Sequence, residues 1–66
     1  MKQTTIEALL RAYIKLQDCS DELYSSSQEA LNNNDLLDAD FLQSQADKIF
    51  EQAENLESLI SELEEQ

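Results

Sequence analysis

Few residues in this chain could do chemistry. Its 66 residues include one cysteine, two tyrosines and no histidine, with 15 acidic side chains against 4 basic ones. Asn32, Asn34, Asp38 and Asp40 stand near the alternate ligand positions of a calcium loop. The glycine at the centre of such a loop is Leu37 here, the fifth position is Leu36, and the closing bidentate glutamate is Gln43. The four polar residues read better as a helix stop followed by a helix cap. Cys19 has no histidine to activate it, and its neighbours Asp18, Asp21 and Glu22 have the wrong sign to favour a thiolate. It is expected to be a small packing residue. A zinc site would have that one thiolate and only carboxylates, a poor donor set. With no glycine and no proline, phosphate-cradling loops and nucleophile elbows are excluded. No acid–base pair comes with a pocket to work in, so an enzyme is not expected, nor is a cofactor.

The acids are the remaining chemistry. Net charge is −11, and it is uneven. Residues 1–34 hold five acids against Lys2, Arg11 and Lys15, whereas residues 35–66 hold ten acids against Lys48 alone. Such a second half repels nucleic acid and anionic membranes. No apolar run approaches the ~18 residues of a membrane span. The opening Met-Lys-Gln-Thr-Thr is not followed by an apolar core, which speaks against a signal peptide. An unpaired cysteine agrees with a reducing cytoplasm. The acids of residues 51–57 could imitate DNA phosphates, but their mixed three- and four-residue steps read as a solvated helix face.

Two elements must carry these groups. Thr4-Thr5-Ile6-Glu7 has the form of a capping box and predicts a first helix over about 4–31. Its apolar residues Ile6, Leu9, Leu10, Tyr13, Leu16, Leu23 and Tyr24 recur at helical spacing, with Ile14 at the edge. Between Leu16 and Leu23 the stripe falls on Ser20, where a small side chain lets another helix approach or simply weakens the packing. Ser25-Ser26-Ser27 is a run of poor interior helix residues. The helix either kinks there or runs through, and the register of Ala30 and Leu31 favours the continuous form. Asn32-Asn33-Asn34-Asp35 is the stop, because asparagine is the best substitute for glycine in the left-handed conformation. The spacing then predicts a connection over 32–38, with Asp38 as N-cap, Asp40 as an alternative cap, and Leu37 and Leu42 as a hydrophobic staple. A second helix is predicted over about 39–64.

That second helix carries Leu42, Ala46, Ile49, Ala53, Leu56, Ile60 and Leu63 on one side, flanked by Phe50 and Leu59. Leu42, Ile49, Leu56 and Leu63 keep a strict seven-residue repeat, as in a coiled-coil seam. Two helices of matched length and a short connection predict an all-α fold, an antiparallel two-helix hairpin forming one domain. Both stripes are too broad for the hairpin alone to cover. A chain this short buries only ~60% of its unfolded surface, so a partner chain is the expected support. The expected partner-binding residues are Leu9, Tyr13, Leu16, Leu23 and Tyr24 on the first helix. On the second they are Leu42, Ile49, Phe50, Leu56, Leu59, Ile60 and Leu63.

Glu51-Gln52-Ala53-Glu54-Asn55 followed by Leu56, Leu59 and Ile60, together with the polar Asn33–Asp40 connection and Phe41 after it, is similar to a known pattern. It resembles the small helical co-chaperones of type III secretion needles, the YscE-like proteins. The chain departs from them in lacking a basic first helix and in its acidic C-terminal end. The resemblance implies a cytoplasmic hairpin that docks on a tetratricopeptide-like co-chaperone and helps keep a needle subunit from polymerising early. Two other readings remain open from the residues: a homodimeric four-helix bundle with a structural role, and an acidic inhibitor that competes with nucleic acid for a basic protein.

Overall fold

The computed structural model describes residues 1–65. It contains two helices, α1 (Gln3–Asn32) and α2 (Leu36–Glu64), packed as an antiparallel hairpin. The Cα trace measures 49 × 14 × 10 Å. A 30-residue helix is ~45 Å long at the standard rise, so the molecule is one helix long and two helices wide.

The turn is built by the asparagines. Asn34 takes the left-handed conformation, φ 63°. The Asp35 amide donates to the Ala30 carbonyl at 2.9 Å and the Asn34 amide to the Leu31 carbonyl at 3.1 Å. This crossed pair is a Schellman stop, with asparagine in the place usually taken by glycine. The Asp35 carbonyl already accepts from the Ala39 amide at 2.9 Å, so α2 begins at once.

The helix starts therefore differ from the sequence expectation. The connection is Asn33–Asp35, not 32–38, and α2 starts at Leu36, about three residues early. Asp38 lies inside the first turn and does not cap it; Asp35 holds the N-cap position without a side-chain cap bond. Leu37 is 86% exposed and staples nothing. At the other end Lys2, not Thr4, is the N-cap of α1, again with no side-chain cap bond. Backbone bonds from the Thr5 and Ile6 amides to the Lys2 carbonyl close that first turn instead. Through Ser25-Ser26-Ser27 α1 is unbroken.

The seam explains why it is unbroken. Buried on α1 are Ile6, Ser20 and Ser27; buried on α2 are Ala39, Ala46, Ala53 and Ile60. Both sets follow a seven-residue repeat, and Tyr13 fills the missing step on α1. The Ser27 hydroxyl donates to the Ala39 carbonyl at 2.8 Å, and the Ser20 hydroxyl to the Ala46 carbonyl at 3.4 Å. A side chain as short as serine reaches a neighbouring helix backbone only if the helices lie close together. Alanine opposite makes that possible, and the bonds satisfy the buried hydroxyls. The serines suit a seam between helices better than they suit an isolated helix.

Candidate functional site

With the seam formed from small residues, the pair is a thin layer with two broad faces. On one, Leu9, Leu16 and Leu23 of α1 run beside Leu42, Ile49, Leu56 and Leu63 of α2, all half-buried. Leu16 shares a surface cleft with Gln52, Asn55, Leu56 and Leu59, which places the two rows on the same side. Helical spacing puts Ala12, Cys19 and Ser26 along one rim of this leucine face and Gln45, Gln52 and Leu59 along the other. Cys19 is exposed there as a free thiol.

The strict leucine repeat predicted as the α2 seam is thus half-buried, and it is not the most deeply buried line against α1. That line is the alanine repeat one step round the helix, Ala39, Ala46 and Ala53, continued by Ile60. Of the expected partner-binding residues, Ile60 is 5% exposed and is spent inside the hairpin. The leucines and Ile49 remain half-open, and Leu59 is exposed.

The opposite, tyrosine face is chemically different. Tyr13 and Gln17 of α1 line a cleft with Phe50, Ala53, Glu54 and Glu57 of α2. The Tyr13 hydroxyl donates to a Glu57 carboxylate oxygen at 2.9 Å and accepts from the Gln17 side-chain amide at 2.9 Å. The Tyr24 hydroxyl donates to the Asp47 carboxylate. Both phenols titrate above their ordinary value. The chief cause for Tyr13 is the bond to Glu57, and for Tyr24 the bond to Asp47, with partial burial and the carboxylate charge adding to each. Leu10, Ile14 and Phe50 are exposed on this side. By helical spacing Glu7, Asp21, Asp40 and Glu64 edge the same face, and no basic residue lines its cleft.

The structure therefore divides the expected binding residues. The leucines and Ile49 fall on one face, and Tyr13, Tyr24 and Phe50 on the other. Sequence reasoning missed Asp47, Glu57 and Gln17 as partners of the tyrosines, and it missed Ala39. Only Ala39 left a signal, the repeat that it begins with Ala46 and Ala53.

Among the described residues no group of three or more acids, cysteines or histidines is placed to hold a metal ion. Asn34 belongs to the helix stop, and Asp38 and Asp40 to the first turns of α2. No helix among the described residues is long and apolar enough to cross a membrane. No family model, curated protein or solved structure matches this chain.

Proposed function

We propose that this chain is a small acidic helical adaptor or chaperone subunit whose tyrosine face holds a basic amphipathic helix of a partner protein. The observation that carries this reading is the make-up of that face. Aromatic rings of Tyr13, Tyr24 and Phe50 stand among Asp47, Glu54 and Glu57, with no base in the cleft between the helices. Aromatic anchors supply most of the affinity in protein interfaces, and a uniform rim of one charge selects a partner of the other. The tyrosine hydroxyls are already bonded to carboxylates, so the rings are held in place before a partner arrives.

A needle-subunit co-chaperone of type III secretion, working in the cytoplasm beside a tetratricopeptide-like partner, is the specific form of this reading. Its support is the sequence pattern together with the shape. The chain is a bare hairpin, and Phe41, which follows the connection in that pattern, is 64% exposed.

Photo-crosslinking residues placed at Tyr24, Phe50 and, as a control on the outer side of α2, Ser58 test the proposal in cells. Cross-links from the first two positions to one basic protein, absent from Ser58, are expected. The recovered protein, co-expressed with this chain, should form a complex that dissociates with added salt and is lost with Phe50→Ser. Equal cross-linking from all three positions, or none, would overturn the assignment.

A further inference from the structure

The leucine face has a property the rest of the surface lacks. In a chain with 15 acids and 4 bases, its two rows and its rims are uncharged from Leu9 to Leu23 on α1 and from Leu42 to Leu63 on α2. The rim residues are Ala12, Cys19 and Ser26 on one side and Gln45, Gln52 and Leu59 on the other. Seven acids edge or line the tyrosine face instead.

The molecule also exposes more surface than its mass requires. A compact monomer of 7.6 kDa would expose roughly 4,300 Å² by the usual mass scaling, whereas this chain exposes 5016 Å². The surplus, roughly 700 Å², is that of a rod 49 Å long with no third layer to cover its two faces.

We propose that the leucine face docks a second copy of this chain, giving a two-fold four-helix bundle with both tyrosine faces turned outward. Charge selects this occupant. A basic partner would find its complementary acids on the other face. A second copy carries the same −11, so it can approach only where acids are absent, and this is that face. An uncharged surface with leucine rows from both helices is self-complementary, as a two-fold interface must be. The inference does not rest on the proposed partner of the tyrosine face, because the two faces are separate.

The test is sedimentation equilibrium and light scattering on the full chain across a roughly hundredfold concentration range, with melting followed by circular dichroism. The expected particle is twice 7.6 kDa, with a melting temperature that rises with concentration. Leu56→Glu should abolish the dimer. Because that variant could also lose its fold, Gln52→Glu serves beside it. Gln52 is an exposed rim residue outside the seam, and an acid there puts charge of the second copy's own sign at the edge of the proposed interface. Gln52→Glu should weaken dimerisation roughly tenfold or more while keeping its helical signal, and added salt should recover part of the loss. Phe50→Ser, on the opposite face, should leave the dimer intact. A helical monomer at every concentration would overturn the proposal, as would a dimer indifferent to Gln52→Glu or one dissolved by Phe50→Ser. The last outcome would leave the tyrosine face as an interface and remove the leucine face from the account.

Discussion

Ala46→Leu separates two descriptions of this hairpin. If the large residues Leu42, Ile49, Leu56 and Leu63 formed the seam, a leucine at position 46 would widen an apolar stripe and stabilise the chain. In the structure Ala46 is fully buried, and its carbonyl accepts the Ser20 hydroxyl. An isobutyl group in place of its methyl must push α1 away. Overpacking of this kind costs about 1–3 kcal/mol. Separation also breaks the 2.8 Å bond from Ser27 and the longer, weaker one from Ser20 at 3.4 Å, together contributing about 1–2 kcal/mol. The total is about 2–5 kcal/mol. At ~0.05–0.15 kcal/mol per residue, a chain of this length has a stability of about 3–10 kcal/mol. Ala46→Leu should therefore lower the urea midpoint steeply and remove much of the helical signal in water. Leu56→Ala, measured at a dilution where chains do not associate, should cost about 1–2 kcal/mol, because that side chain is only half-buried. Urea melts followed by circular dichroism decide the matter. If Ala46→Leu melts at or above the parent while Leu56→Ala unfolds, the small-residue seam is wrong.

Three further outcomes follow from individual contacts. Asn34→Gly should raise stability by up to about 1 kcal/mol in thermal melts, since glycine holds the left-handed turn without a Cβ clash, and Asn34→Ala should lower it by a similar amount. Ser27→Ala should cost about 1 kcal/mol through the lost bond to the Ala39 carbonyl while leaving α1 continuous, which amide exchange across residues 25–31 can verify. Tyr13 and Tyr24 should titrate above the usual phenol value of about 10 in an ultraviolet absorbance titration. A raised folded-state value favours the neutral donor. The stability it contributes is complete below the unfolded value and disappears as pH rises through the folded one. Alkaline loss of helix should therefore begin above about pH 10 and be shallower in Tyr13→Phe and Tyr24→Phe.

The hairpin was legible because its signals are local. Helical spacing marks both stripes, and three asparagines before an aspartate mark the stop, where Asn34 does take the left-handed turn. The helix starts were less legible. A Schellman stop lets the next helix begin within two residues, so Asp38, a good cap by type, was not needed as one. The tyrosine partners could not be read at all, because Tyr13 meets Glu57 and Tyr24 meets Asp47 only once the register of two distant segments is fixed.

The choice of seam has a deeper cause. Residues 39, 46, 53 and 60 and residues 42, 49, 56 and 63 are both strict heptad lines, one step apart on the same helix. Ranking by hydrophobicity selects the second line, because it holds the larger side chains. The structure selects the first, and the reason lies on the other helix. Ser20 and Ser27 occupy the matching line of α1, where large residues opposite would hold the helices apart and strand two buried hydroxyls without acceptors. Small residues repeating every seven positions on both helices are the combined signal, and it shows only when the two lines are read together. Close packing through alanine and serine also fixes what is left outside. A hairpin that buried its leucines against each other would have no apolar face to offer. This one brings its helices together through small residues, from Ser20 and Ser27 to Ala39, Ala46 and Ala53, and closes the open end with Ile6 and Ile60. It leaves its leucines half-open along nearly its whole length, so the same residues that set the seam create the apolar face on which the proposed association rests.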